Sequence, residues 1–171
     1  MNHISIFVTV GTNHYKFDRM LGLVDECLKL LDYTYSLNVQ YGHCSPYVLA
    51  KNIEGSSESI FPRDTTEQLY RDSDLVFSHC GIGSIYNSLH FNRPTVIIPR
   101  LEQYKEFSDD HQLQISREIC VNPMVLMLNE QIEPLEFKKF IDKTLFKERK
   151  LVDLTNYQLA EFIRSKLLDS F

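Results

Sequence analysis

Three features that would assign a chain to a special class are missing from this sequence of 171 residues. It has no basic excess: 18 Lys and Arg stand against 23 Asp and Glu, a formal net charge of −5. This argues against broad nucleic-acid binding, which depends on clustered cations that neutralise phosphates. No apolar run approaches the roughly 18 to 20 residues that a membrane-spanning helix needs, and no cationic and apolar leader opens the chain. We therefore expect a soluble, cytoplasmic protein with no nucleic-acid partner.

Cysteine is also sparse, and its spacing indicates no metal site. The four cysteines are Cys27, Cys44, Cys80 and Cys120. None forms a C-x-x-C pair, and no His stands beside them at the spacing of zinc ligands. Scattered cysteines in a cytosolic chain are ordinarily core or near-surface residues. A chain of this length can bury roughly two-thirds of its unfolded surface, so we expect one domain, residues 1–171, that needs neither a disulfide nor a metal.

What the sequence does contain is a regular alternation of strand-like and helix-like patterns. Short apolar, β-branched runs predict strands at 4–10, 33–41, 60–61, 74–78, 95–98 and 125–128. Apolar residues at helical spacing predict helices at 17–31, 65–71, 84–91, 109–118, 134–147 and within 154–171. Residues 43–59 are rich in serine and are expected to form a mobile loop. The alternation predicts an α/β fold, a single Rossmann-like parallel sheet with helices on both faces.

In such folds ligands bind at the carboxyl ends of the strands, and the first strand ends in an unusual turn. Gly11 and Thr12 follow it directly. A glycine and a small hydroxyl residue let backbone N–H groups approach an anion, with the dipole of the next helix behind them. A tight turn in which Thr12 or Asn13 caps the helix explains the same residues, and both interpretations stay open.

The turn after the fourth strand carries a stronger signal. Residues 78–85 read SHCGIGSI, and Gly81 and Gly83 leave the peptide N–H groups uncovered by side chains. With Ser84 as a cap or a phosphate ligand, this is the composition of a site for a diphosphate. The third glycine of a dinucleotide fingerprint is missing, as is the Lys-Ser or Lys-Thr of a Walker loop. His79 either donates a hydrogen bond to a phosphate or is a core histidine with its own partners.

A third turn combines carboxylates with an amide. Asp109, Asp110, His111 and Gln112 stand at a predicted helix start. Acidic residues in a first turn suit the helix dipole without any ligand, but a carboxylate beside an amide also suits sugar hydroxyls. Metal binding by this group is disfavoured because its side chains point in different directions around the turn.

In chain order these motifs resemble a known family. They are residues 7–12 (FVTVGT), 17–19 (FDR), 40–42 (QYG), 78–85 (SHCGIGSI), 93–94 (RP) and 109–112 (DDHQ). The order is similar, over about residues 4–120, to the glycosyltransferase family 28 C-terminal domain, the donor-binding half of a GT-B enzyme. Its short stand-alone members resemble the chain most. These are the PssE-type subunits of bacterial capsule and exopolysaccharide synthesis and the catalytic subunit of the eukaryotic UDP-N-acetylglucosamine transferase of lipid-linked oligosaccharide synthesis.

The resemblance implies a role for each candidate residue. The residues implied to hold the diphosphate of a UDP-sugar are Gly11, Thr12, His79, Gly81, Gly83 and Ser84. It places Asp110 and Gln112 at the sugar hydroxyls, and Arg100 at the nucleotide or the sugar. Asn87 stands where relatives often have an acidic residue that binds the ribose diol, and its amide can still bond a hydroxyl.

The resemblance also implies a mechanism and a partner. It implies an inverting, metal-independent transfer of a hexose from a UDP-sugar to a lipid-diphosphate-linked acceptor, without a cofactor. Since a GT-B enzyme has two such domains, a membrane-anchored subunit would supply the acceptor half in a heterodimer at the inner face of the plasma membrane. The helix predicted within 154–171 either docks to that partner or packs on its own sheet. His14 is the candidate general base unless the partner supplies one.

Two other functions fit less well. A non-catalytic nucleotide-sugar-binding subunit that activates a partner transferase is left open by Asn87. An epimerase is disfavoured because GT-B epimerases are about twice this length. The expected donors are UDP-sugars that carry a galactosyl, glucuronosyl or N-acetylglucosaminyl group, with a bacterial pathway preferred.

Overall fold

The computed structural model describes residues 3–145, so the helix predicted within 154–171 lies outside the described residues. Within them the chain alternates strands and helices. The strands are β1 (His3–Thr9), β2 (Thr34–Gln40), β3 (Gly55–Glu58), β4 (Leu75–His79), β5 (Thr95–Ile98) and β6 (Val125–Met127). The helices are α1 (Asp18–Lys29), α2 (Arg63–Asp72), α3 (Ile82–His90), α4 (His111–Ile119) and α5 (Pro134–Thr144), with a short 3-10 helix at Glu102–Tyr104.

All strand pairs are parallel, and the sheet has the order β3-β2-β1-β4-β5-β6. The chain therefore moves outward from β1 in one direction through β2 and β3, then returns to the other side of β1 with β4. In doubly wound sheets such a reversal opens a crevice at the carboxyl ends of the two central strands. Thr9 at the end of β1 pairs with both Gln40 and Ser78, so three strands end side by side at this point.

Both faces of the sheet are covered by helices. Ile6 and Val8 of β1 lie in a cluster with the buried faces of α1 and α5, whereas Phe7 between them packs with α2. The helices α3 and α4 lie on the same side of the sheet as α2 and pack against Ile97 of β5. Side chains of a strand alternate between the two faces, and each apolar set is buried under its own helices. The predicted Rossmann-like α/β fold is confirmed.

The prediction of a strand at 60–61 is wrong, and the third strand is Gly55–Glu58, inside the segment predicted to be a loop. Among the described residues this strand lies at the edge of the sheet and pairs with β2 alone. Its side chains are polar, so the sequence shows no apolar pattern there. The hydroxyl of Ser56 donates a hydrogen bond to Asn38 Oδ1 on β2 at 2.8 Å. Phe61 is buried against Phe7, with ring centroids 6.4 Å apart, which explains the apolar signal that was read as a strand.

Within residues 3–145, none of the helices has the length and apolar character needed to cross a membrane. The same part of the chain contains no group of three or more His, Cys, Asp and Glu side chains that could hold a metal ion. The four cysteines are free thiols.

Candidate functional site

A cleft of about 460 Å³ opens where the strand order reverses, at the carboxyl ends of β1 and β4. The ends of three strands form its base, and α2 and α3 form its walls. The candidate residues that line it are Gly11, Thr12, His79, Gly81, Gly83, Ser84 and Asn87. The structure thus brings together seven residues from two segments that are distant in the sequence, 11–12 and 79–87, and their roles toward a ligand stay predictions.

The N-terminus of α3 opens into this cleft without a cap. Gly81 precedes the helix in an extended conformation, and no side chain caps the helix. The first backbone hydrogen bond of the helix runs from the N–H of Ile85 to the carbonyl of Gly81. The N–H groups of residues 82–84 consequently have no acceptor within the helix. Three such donors at the positive end of a helix dipole are an arrangement that favours an anion.

The imidazole of His79 fills the space between the two glycine turns. A Cβ at Gly11 would lie 2.5 Å from His79 Cε1, and a Cβ at Gly81 would lie 2.2 Å from Nε2. Gly11 also has a φ of 80°, a conformation that glycine adopts readily. Both glycines are therefore required by the position of the ring, and the ring holds the two turns at a fixed separation.

Burial, together with the charge of Arg100, lowers the pKa of His79 to about 4, and the backbone carbonyl of Thr9 opposes this shift. A pKa this low favours the neutral imidazole at pH 7. Its Nδ1 is buried and makes no hydrogen bond of good geometry within the described residues. His79 is also one of the residues that line the cleft. A neutral imidazole in this place can donate one hydrogen bond to a ligand.

The two residues of the first turn differ in what they present to the cleft. The N–H of Gly11 donates to Thr9 Oγ1 at 3.1 Å, so it is used within the protein. Thr9 Oγ1 also accepts from Gln40 Nε2 at 3.2 Å, which fixes the end of β1 to the end of β2. Thr12 is exposed on the wall of the cleft and carries the hydroxyl that this turn offers.

Sequence reasoning missed the wall of the cleft opposite α3. The additional lining residues are Thr9, Gln40, Ile60, Phe61, Arg63, Thr66 and Tyr70. The residues on the α2 side escape sequence reasoning because the sequence predicts a strand at 60–61, where the structure has the turn into α2. The signal that could have found them is Pro62, which stands at the N-cap of that helix. Among the residues that line the cleft, Arg63 alone carries a formal charge at neutral pH.

Tyr70 connects the two walls of the cleft beneath its surface. Its ring is buried and meets Phe7 edge-on, with centroids 5.0 Å apart. Burial raises the pKa of Tyr70 to about 12, and hydrogen bonds to Ser84 and Ser78 oppose the shift. The phenol thus ties α2 to the first turn of α3.

Asp110 and Gln112 lie outside the cleft lining, at the start of α4. Gln112 Oε1 accepts the backbone N–H of Arg100 at 3.2 Å. Asp110 Oδ1 accepts the backbone N–H of Glu102 at 2.9 Å. Both side chains therefore hold the loop that follows β5, which brings that loop and the helix start together.

Arg100 lies behind the Gly11 turn rather than on the cleft surface. Its side chain is fully buried. The guanidinium donates to the carbonyls of Val10 at 2.9 Å, Tyr15 at 2.9 Å and Glu106 at 3.0 Å. It also lies over the ring of Phe17, 4.6 Å from its centroid. The side chain joins the loop after β1 to the loop after β5.

His14 also lies outside the cleft lining, on the exposed part of the loop after β1. Its ring packs against that of Tyr15, with centroids 4.3 Å apart and the planes tilted by 32°. A second exposed histidine, His43, which sequence reasoning did not single out, contacts the carbonyl of Asn13 through Nδ1 at 3.1 Å. Two histidines thus lie on adjacent loops at this edge of the sheet.

The strand order and the crevice at its reversal define a doubly wound α/β domain. The sequence agrees with a family of that architecture. The model of the glycosyltransferase family 28 C-terminal domain matches residues 5–162, and the chain belongs to this family. No curated protein sequence matches the chain.

Several solved structures share the fold. An NMR structure of ALG13 is 20% identical with a TM-score of 0.59, and the match covers 95% of this chain and 94% of that one. The calicheamicin glycosyltransferase CalG4 is 11% identical with a TM-score of 0.61, over 99% of this chain and 44% of that one. MurG of Acinetobacter baumannii is 14% identical with a TM-score of 0.57, and the match covers 83% of this chain and 41% of that one. The chain therefore spans about two fifths of the length of the last two proteins.

Proposed function

We propose that this chain is the donor-binding subunit of a UDP-sugar-dependent hexosyltransferase. The observation that carries the proposal is the cleft at the strand reversal, where the uncapped end of α3 and the ring of His79 converge. Three free N–H groups, two hydroxyls and one neutral imidazole are donors that suit a diphosphate. Family membership supports a sugar nucleotide as the molecule that carries this diphosphate.

The two walls of the cleft suit the two ends of the nucleotide. The diphosphate lies on the first turn of α3, against Ser84 and Thr12. Asn87, one turn further along the helix, faces the ribose hydroxyls. The base lies toward Ile60 and Phe61, which supply apolar surface on the α2 side. The sugar extends toward the start of α4, where Asp110 and Gln112 hold the loop after β5.

The reaction is an inverting displacement without a metal. The acceptor hydroxyl attacks the anomeric carbon, the bond from that carbon to the diphosphate oxygen breaks, and UDP leaves with the electron pair. Negative charge grows on the leaving diphosphate, and the dipole of α3 and a hydrogen bond from His79 stabilise this charge. The proton of the acceptor hydroxyl passes to a general base, for which His14 is the candidate on this chain.

A second subunit completes the enzyme. The likeness to nearly all of ALG13 and to about two fifths of CalG4 and MurG is consistent with a donor-binding half that works with an acceptor-binding half. A membrane-anchored partner presents a lipid-diphosphate-linked sugar and keeps this chain peripheral at the inner face of the plasma membrane. We place the reaction in bacterial capsule or exopolysaccharide synthesis and assign residues 154–171 to docking.

Calorimetric titration in the presence of a chelator tests the donor site. The ligands are UDP, uridine, GDP and the UDP-sugars of glucose, galactose, glucuronic acid and N-acetylglucosamine. UDP is expected to bind more tightly than uridine and GDP, with one UDP-sugar preferred. Failure of all of them to bind, with and without the co-expressed partner, would contradict the proposal. Binding without turnover in the assembled complex would show an accessory subunit instead.

Replacing His14 by alanine tests the general base. Turnover with the partner is expected to fall by about 100-fold or more, the usual contribution of a general base. UDP affinity should stay within about twofold of wild type, because His14 lies outside the cleft lining. His43→Ala is the matched control, since it removes the other exposed histidine of the same edge. An unchanged rate for His14→Ala would assign the base to another residue or to the partner.

A further inference from the structure

The feature that the proposed function leaves unused is the cation of Arg100. Its side chain has no exposed surface. The guanidinium donates to four neutral backbone carbonyl oxygens and lies over the face of Phe17. Within residues 3–145 no carboxylate lies at salt-bridge distance from it. A buried charge without a paired counterion is costly, which raises the question of what it interacts with.

The ion pair nearest to Arg100 is that of Arg19 and Glu106, and together with Arg100 it forms a cluster with a net positive charge. Arg19 binds the carboxylate of Glu106 through two hydrogen bonds, of 2.9 and 2.7 Å. Both groups are largely buried, with side-chain exposures of 18% and 5%. The guanidiniums of Arg19 and Arg100 lie over the same ring, Phe17, at 5.3 and 4.6 Å from its centroid. Two cations and one carboxylate make a cluster with a charge of one positive unit.

The position of this cluster points to the donor site. Arg100 donates to the carbonyl of Val10, the residue before Gly11. The charge of Arg100 also lowers the pKa of His79, which lies between the two glycine turns. The field of the guanidinium therefore reaches the groups that face the cleft. Burial weakens its screening by solvent and salt.

We propose that Arg100 is a positioning residue and a fixed buried cation for the donor site, which holds the Gly11 turn and attracts the ligand's diphosphate without contacting it. The inference rests on the proposed function and adds a source of charge to it. The cleft lining itself carries one formal charge, on the exposed Arg63. The guanidinium of Arg100 lies on the other side of the Gly11 turn and adds a second positive charge, one that solvent does not reach.

Three variants separate the charge from the geometry. Arg100→Gln removes the cation and keeps some hydrogen bonding, and Arg100→Lys keeps the cation but loses the planar fork. Glu106→Gln keeps an oxygen for the N–H of Leu101 while it raises the cluster charge by one unit. Arg117→Gln is the matched control, because it makes the same change in net charge as Arg100→Gln at an exposed site on α4. Folding of each is checked by circular dichroism.

The first readout is the affinity for UDP and for uridine, which lacks the diphosphate. Arg100→Gln is expected to weaken UDP binding by about 10- to 30-fold, the size of a charge interaction across several ångströms at an effective dielectric constant near 20. Uridine binding should change by less than about twofold, and Arg117→Gln should bind both as wild type does. Glu106→Gln should tighten UDP binding.

Two further readouts distinguish the two parts of the role. NMR titration of labelled histidine should show the pKa of His79 rising in Arg100→Gln and staying low in Arg100→Lys. Amide exchange of residues 11–16 should accelerate in both Arg100 variants, because both lose the full set of carbonyl contacts.

The results separate this inference from the proposed function. If wild type binds no UDP, the proposed function fails. If wild type binds UDP but Arg100→Gln loses UDP and uridine affinity equally, or loses neither, the charge role is overturned. If Arg100→Gln does not fold, Glu106→Gln decides, and weaker UDP binding there contradicts the inference.

Discussion

Replacing Gly81 by alanine is expected to weaken UDP binding by about 100-fold, the value of roughly two lost charge-assisted hydrogen bonds. The new methyl group would lie 2.2 Å from Nε2 and 2.8 Å from Cδ2 of His79. The imidazole must move, and it can move only away from the turn or into the cleft. Either movement misaligns the free N–H groups at the start of α3 or occupies the space of the ligand. Calorimetric titration with UDP measures the loss.

The matched control is Gly22→Ala. Gly22 is exposed in the middle of α1, and a Cβ there would meet nothing within 4 Å. It should leave UDP affinity unchanged and stabilise the protein by about 0.5–1 kcal/mol, since alanine is the better helix former.

The double variant Gly81→Ala/His79→Ala removes the ring that the new methyl group would strike. It should bind UDP better than Gly81→Ala does alone. If the double variant binds no better than the single one, or if Gly81→Ala binds UDP as wild type does, the packing of the ring against this turn is not what sets affinity.

Gly55→Ala is expected to destabilise the fold by about 3 kcal/mol. Gly55 begins β3 with a φ of 137°, and a Cβ there would lie 1.9 Å from the carbonyl oxygen of Leu37. That oxygen belongs to the backbone of β2, its partner in the sheet. Neither strand can yield without losing their pairing, so the edge of the sheet must open. Urea unfolding followed by circular dichroism measures the free-energy change.

The neighbouring variant Glu54→Ala serves as the control for that measurement. Glu54 is exposed, and its contribution to the sheet is a backbone carbonyl that accepts the N–H of Leu37. Alanine keeps this carbonyl, so the change should lie within about 0.5 kcal/mol of wild type. If the free energy of unfolding of the Gly55→Ala variant equals that of the Glu54→Ala variant, the two strands do not approach each other as closely as described.

Most of the fold could be predicted because its central strands and its helices have apolar patterns. Ile6 and Val8 of β1 are fully buried, and buried strands are read directly from such runs. The edge strand β3 could not be read in this way. It is held by backbone pairing to one neighbour, and its side chains are half-exposed or exposed, so neither hydrophobicity nor alternation marks it.

The candidate site was predictable to the extent that it depends on local sequence. Gly81, Gly83 and Ser84 stand together in one short motif, and the structure places them at the cleft. The burial of the Arg100 side chain was not predictable, because a cationic side chain near a strand end is ordinarily exposed to solvent. Its burial depends on carbonyl groups of Val10 and Tyr15, far from it in the sequence.

The bond from Arg100 to Val10 has a consequence for how the protein is made. It joins residues that are 90 positions apart, and contacts across so long a segment form after local ones because closing the loop costs entropy. During synthesis, the first glycine turn leaves the ribosome long before the side chain that secures it. A nascent chain that ends before β5 therefore contains both glycine turns but lacks the support behind the first. The proposed donor site would be complete only when β5 and the loop after it have joined the sheet.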